Sequence, residues 1–358
     1  MADDPKPKQI ETKLAYELKL PSSVLGLAVS SDHETFFASC MDGSVYQVEG
    51  EKGKPQLLGK HTSYASSVHL LPDGQRLISA GYDGVLLWHD IAKREVTRKV
   101  TAHNFWSWQS DLSLNGRLIA SVTGQYICGG YKYEPAPELE PSVKIFDTQT
   151  GELVRSLTHT PPVQSVAFSP NNQFLAAGNL MGQVRIWEVT TGKEVSNWTT
   201  PSFTGWGIIK GHYYTGGIFA LKFSPDGESL YAAGMGSTTD PAAGNGLQLW
   251  QHFNWRDGKK ISEAKDSEIG RGLMEALSFE PGAKSFVMAG RLFNGKWNTA
   301  LFDSASGALL HAIDTKMRTT RAFYASNSKL ILAGTVDQGK KKDGAYPECG
   351  RIKIYSIG

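Results

Sequence analysis

The sequence predicts an all-β chain, a seven-bladed ring of four-stranded antiparallel units, and three observations carry that prediction. A short phrase, an apolar strand running into a Ser-Pro-Asp-Gly-like turn, recurs seven times along 358 residues. Each copy is followed by runs that alternate apolar and polar residues at period two, the mark of a half-buried strand. Glycine is abundant, at 38 residues, and punctuates these runs, while helix-period patterns are scarce.

Within each unit the first strand is the phrase itself. Its copies end at residues 33, 74, 116, 172, 227, 283 and 328, at intervals of 41, 42, 56, 55, 56 and 45. A second apolar run closes on small residues, as in Leu77-Ile78-Ser79-Ala80 and Phe174-Leu175-Ala176-Ala177. The third run alternates and ends on an aromatic or Val: Val48, Trp88, Phe146, Trp187, Trp250, Phe302 and Tyr355. A turn such as Thr150-Gly151-Glu152 follows, where glycine supplies the positive φ of a tight hairpin. A fourth run, such as Glu152 to Leu157, completes the unit. Four antiparallel strands at a base period of 41 to 45 residues read as one blade of a β-propeller, and seven blades close into a ring. The seventh unit ends on its third strand, Arg351 to Ile357, and Glu11 to Leu20 has the pattern of the missing fourth. It is expected to pair there, close the ring and cover an edge. Residues 10–358 then form a single domain, preceded by a flexible tail at 1–9.

The unit ends carry a more specific signal. Trp88-His89-Asp90, Trp187-Glu188, Trp250-Gln251, Phe146-Asp147 and Phe302-Asp303 close the third strands, and His61, His103, His159 and Gly211-His212 precede first strands. These elements resemble the WD-repeat (G-β-like) family over residues 10–358. The degenerate repeats and long loops look more like a bacterial member than a eukaryotic signalling protein. The resemblance implies a buried hydrogen-bond network of His, Ser, Asp and Trp in each blade, complete only in blade two as His61, Ser79, Asp83 and Trp88. The same residues could be read as a Ser-His-Asp triad, but no nucleophile elbow or oxyanion loop accompanies them.

Several function classes fall away on composition. A balance of 37 Lys+Arg against 35 Asp+Glu argues against nucleic-acid binding. No apolar run approaches membrane-spanning length, so membrane insertion is not expected. Three cysteines exclude a disulfide scaffold. Cys128 and Cys349, in loops nearly across the ring, are poor candidates for a bond. The nine histidines are scattered without metal-ligand spacing, and no phosphate loop is present, so neither metal nor cofactor is expected. The polar start Met1-Ala2-Asp3-Asp4-Pro5 fits a cytoplasmic chain, or a secreted or periplasmic one whose signal was removed before Ala2.

What points to function is where the extra residues go. Insertions lengthen the second-to-third strand loops of blades three (123–141), five (235–245) and seven (335–350) and the connection at 199–215. In an up-and-down blade these segments all emerge on one face, and insertions on one face mark a binding surface. That face gathers Tyr64, Trp106, Trp108, Tyr131, Tyr133, Trp206, Tyr213 and Tyr214, with Trp297 beside them and Arg271 and Arg318 at matching positions of blades six and seven. Tyr, Trp and Arg are the residues enriched at interface centres. The expected function is a non-catalytic scaffold that binds a protein or peptide there, as a subunit of a larger complex. Two alternatives remain: a secreted lactonase- or lyase-like propeller, which would need a convergent set of Asp, Glu, Asn or His on the inner strands, and a carbohydrate-binding propeller using Trp106, Trp108 and Trp206.

Overall fold

The computed structural model describes residues 10–124, 138–206, 214–236, 246–264, 270–326, 328–340 and 348–358. The turn phrase folds for a backbone reason. Its last residue is left-handed in six copies, at φ 60° for His33, 68° for Gly74, 70° for Gly116, 60° for Asn172, 77° for Gly227 and 59° for Ala283. Glycine and asparagine tolerate this region best, which is why the phrase favours them. Its serine ties the hairpin from inside: Ser169 Oγ accepts from Phe174 N and Ser224 Oγ from Ser229 N, both at 2.9 Å.

The described residues are all-β apart from a single 3-10 turn, Pro201–Phe203. Val24–Val29, Thr35–Cys40, Ser44–Glu49 and Gln56–Lys60 form a four-stranded antiparallel sheet whose spatial order is the chain order. Sheets beginning at Ala65–Leu70, Ser107–Leu112 and Val163–Phe168 repeat it. Two further meanders, beginning at Tyr214–Phe223 and Arg271–Phe279, merge into a nine-stranded sheet through the short pairing of Gly246 with Gly272 and Leu247 with Arg271. The last sheet draws on both ends of the chain: Thr12–Leu20 runs antiparallel to Gly350–Ile357, from Thr12 opposite Ile357 to Leu20 opposite Gly350.

Neighbouring first strands lie side by side. Val24–Val29 packs beside Ala65–Leu70, and the series continues through each sheet to Arg318–Ser326, which lies beside Val24–Val29 again. Hydroxyls stitch these strands together: Ser66 Oγ donates to Ser107 O at 2.7 Å, Ser165 Oγ to Ile218 O at 2.8 Å and Thr320 Oγ1 to Val24 O at 2.7 Å. Gly26 permits one of these approaches, since a Cβ there would meet Ser67 Cα at 2.7 Å.

The core lies between consecutive sheets. One cluster joins Val122, Val143 and Ile145 of the third unit to Val163, Leu175 and Trp187 of the fourth. Each fully buried side chain of this size contributes roughly 1.5–3 kcal/mol. The interior is therefore divided into layers, each shared by two neighbouring units, and the first strands are left facing a central space.

Candidate functional site at the mouth of the central channel

The aromatic residues around the second and third units form a ladder. Trp106 stacks on Tyr82, with centroids 4.8 Å apart and planes 8° from parallel, and Phe105 stacks on Trp106 at 4.7 Å. Trp108 approaches Tyr82 at 5.6 Å, and Tyr64 approaches it at 5.5 Å. Tyr82, which the sequence reading did not single out, is the hub. It opens the second-to-third turn of its unit, and its amide donates to Tyr64 O at 2.8 Å, bringing turn and connection to one side. Despite their contacts, Tyr64 and Trp106 remain 43% and 39% exposed. Burial pushes the Tyr82 phenol up to about 12, so it stays protonated and can donate a hydrogen bond.

Beside the ladder the first strands surround a cavity of 280 Å³. Every unit contributes to its wall, through Gly26, His69, Asp111, Val166, Lys222, Glu275 and Arg321 in turn. A smaller mouth, lined by Tyr82, Trp108, Gln109, Gln164, Arg318 and others, shares Glu275 and Arg321 with it. Arg318 holds Glu275 through two bonds, Nε to Oε2 at 2.7 Å and Nη2 to Oε1 at 2.6 Å, and this pairing raises the Arg318 pKa. Gln109 Oε1 accepts from Val166 N at 2.9 Å and Asp111 Oδ2 from Phe168 N at 2.8 Å. Lys222 Nζ lies 3.8 Å from the other Asp111 oxygen.

The sequence reading named no such convergence of acids and histidine at the strand starts. It lies further along the same strands, where alternation turns side chains inward. Its geometry does not fit a serine nucleophile. His69 Nε2 is 3.0 Å from Ser110 Oγ and 3.1 Å from Ser110 O, and a carbonyl only accepts, so the bond to it requires the proton on Nε2. Burial also pushes the His69 pKa down to about 4, which makes the ring a weak base. Among the described residues no group of three His, Cys, Asp or Glu could hold a metal ion, and no helix is long and apolar enough to cross a membrane.

The other anticipated residues divide. Tyr131, Tyr133 and Tyr213 lie outside the described residues. So does Cys128, while Cys40 and Cys349 are buried free thiols. Trp206 and Tyr214 are main-chain partners in a short pairing. Arg271 is half-buried, its main chain opposite Leu247 and Asn294, and is not among the residues lining the mouth. Trp297 is corrected: it is 1% exposed and packs against Phe302 inside the core of units five and six.

In the buried network His61 Nδ1 bonds Asp83 at 3.0 Å and Nε2 bonds Ser79 Oγ at 2.8 Å. Asp83 also accepts from Thr62 N. Trp88 does not join, and the fourth member is His89, whose Nε2 is 2.8 Å from Ser79 Oγ. Strand alternation explains the difference. Ser79 pairs with Leu87, so Leu87 and His89 share its face while Trp88 points to the other, where its indole donates to Thr148 O at 2.7 Å.

Comparison with known proteins agrees with this architecture. The model of the WD domain, G-beta repeat, matches residues 54–90, 151–188 and 206–239. The chain is 32% identical to the meiotic recombination protein rec14 of Schizosaccharomyces pombe, over 52% of this chain and 58% of that protein. It is 25% identical to the mouse serine-threonine kinase receptor-associated protein, over 58% and 48%. To the small ribosomal subunit protein RACK1 of S. pombe it is 28% identical, over 36% and 39%. The chain spans about half the length of the curated relatives it matches. All three come from eukaryotes, so the bacterial reading finds no support. Three repeat matches, the all-β sheets and these relatives together support the WD-repeat family for this chain.

Proposed function

We propose that residues 10–358 form one seven-bladed propeller, closed by the pairing of Thr12–Leu20 with Gly350–Ile357, that serves as a non-catalytic scaffold and binds a protein partner over the channel mouth. The circular adjacency of the seven first strands supports the ring. The exposed ladder carries the functional half of the reading. Tyr64 and Trp106 hold large apolar surface in solvent while packed against a fixed hub, and rigid aromatics of this kind form interface centres because little freedom is lost on binding. Two of the relatives carry names of assembly, one a ribosomal subunit protein and one associated with a receptor, in keeping with a place in a larger complex.

The protein reading is favoured over sugar binding by the same geometry. Phe105 and Tyr82 both stack on Trp106, so its π-faces are largely taken by its own neighbours. A sugar ring needs such a face free, whereas a protein side chain can pack on the exposed edges.

The test is affinity capture from the source organism with the wild-type chain and with Trp106→Ala/Trp108→Ala. The double variant is expected to stay folded and to lose the polypeptides that the wild type retains. A folded variant with an unchanged capture profile would remove the channel mouth as the binding face.

A further inference from the structure

The mouth holds more positive than negative charge among its described residues, and the excess sits on Arg321. Its neighbour Arg318 is matched, because its guanidinium takes both oxygens of Glu275. Arg321 is not. Its Nη1 donates at 2.7 Å to Thr320 O, the carbonyl preceding it, and its Nη2 reaches Ser66 O only at 3.3 Å. Among the described residues no carboxylate lies within ion-pair distance of Arg321. A guanidinium offers five N–H donors, and withdrawing such a cation from water without a counter-charge is costly. Desolvation pushes the Arg321 pKa down and outweighs the opposing pull of the Glu275 carboxylate, which is already bonded to Arg318.

Two glutamines add detail. Gln109 turns its carbonyl to Val166 N, which leaves its amide N–H groups for the mouth it lines. Gln164, 6% exposed, holds its Oε1 buried without any hydrogen-bond partner. The mouth thus offers unused donors for an anion, on Arg321 and Gln109, while Gln164 Oε1 is turned against Gly217 and away from an incoming group. A peptide bearing an acidic side chain can use these donors and pack its flanking residues on Tyr82 and Trp108 of the same mouth, whereas an inorganic anion can use only the donors.

We propose that the channel mouth receives an Asp or Glu side chain of the bound partner, its carboxylate held by Arg321 and the amide of Gln109. The proposal rests on the partner-binding reading above and names the chemistry of the segment that would enter. The bound segment would lie across the ladder and turn one acidic residue into the channel.

A phage-displayed library of random 12-residue peptides, selected on the intact wild-type chain, tests it. Selected peptides are expected to share an acidic position. Replacing that Glu by Gln, or Asp by Asn, in a synthetic copy should weaken binding at least tenfold, and this arm leaves the protein untouched. Arg321→Gln should cost a similar factor, and Arg321→Lys should recover part of it. Trp106→Ala separates the two ideas. Peptides that depend on Trp106 but are indifferent to their own acidic residues and to Arg321 overturn the acid-binding proposal and leave the scaffold reading standing. Acidic peptides that depend on Arg321 but not on Trp106 support the acid site and overturn the ladder. A selection that yields no binding peptide overturns both.

Discussion

The second and third units and the fifth and sixth units use the same aromatic residue types to opposite ends. Tyr231, Trp250, Phe286, Trp297 and Phe302 form a cluster between units five and six in which Trp250 is fully buried. Tyr64, Tyr82, Phe105, Trp106 and Trp108 also touch ring to ring, yet two of the five stand in solvent. Both groups stack, so stacking does not separate them. Chain position does. Trp250, Phe286 and Phe302 sit on second and third strands, where alternation aims them between the sheets, whereas Tyr64, Phe105 and Trp106 sit on connections between units. An aromatic on a strand is held by its neighbours on both sides of the layer. Tyr64 and Trp106, on connections between units, are held from one side and keep their remaining surface free for a partner, whereas Trp297, on a loop within its unit, is folded into the core.

The comparison implies a ranked set of effects. The largest concerns the outer edge. Deleting residues 1–20 removes Thr12–Leu20, strips the hydrogen-bonding partner of Gly350–Ile357 and empties the sites of Leu18 and Leu20, which are 3% and 0% exposed. At about 2–5 kcal/mol for each buried leucine, the chain should lose most of its stability. A truncated chain that melts within a degree or two of the full chain would refute the pairing as a closure.

Next is the core half of the comparison. Trp250→Ala should cost about 3–5 kcal/mol, since the cavity it leaves is walled by Tyr231, Phe286 and Phe302. Denaturant unfolding reads this directly. A loss below about 1 kcal/mol, the scale of an ordinary surface change, would mean that the cluster is not core.

Acid should act on the interior and spare the ladder. Burial holds His69, His89 and His103 down at about 4 and His159 at about 3, against the ordinary imidazole value of 6.5. Below pH 6.5 the unfolded chain takes up protons that the folded chain refuses, so stability falls as pH drops from 6.5 towards 4. The stability lost to these rings is fully present above 6.5 and gone near 3. Melting temperatures that stay flat from pH 7 to 4.5 would show that these rings are not buried neutral.

Much of the fold could be read from the sequence because it repeats. The phrase ends, the glycine turns and the alternating runs are local signals, and each recurs often enough to be recognised even where one copy is weak. The site was legible only in part. Tyr64, Trp106 and Trp108 were found from their place at the entry to first strands, but Tyr82 was passed over, although it follows Gly81 in a turn on the same side. Trp297 was misplaced because its sequence position is a loop, while the chain there folds it under Phe302. Trp88 was set in the His61 network by resemblance, although alternation from Ser79 selects His89. Of the channel charges, Arg318 was found at the start of its strand, but Asp111, Lys222, Glu275 and Arg321 were missed because they lie within first strands. Their pairing depends on strands from different units, as with Arg318 and Glu275, 43 residues apart.

The smallest expected effect on stability is also the most direct test of the central claim. Trp106→Ala removes an exposed ring whose loss leaves Tyr82 and Trp108 still in contact. Its melting temperature and its affinity for a captured partner should be measured on the same preparation beside the wild type. The account predicts a melting temperature within a few degrees of wild type and an affinity lower by a factor corresponding to about 2 kcal/mol. Unchanged affinity in a folded chain would contradict it, and so would unfolding, because the ladder would then be a packed cap like the cluster between units five and six.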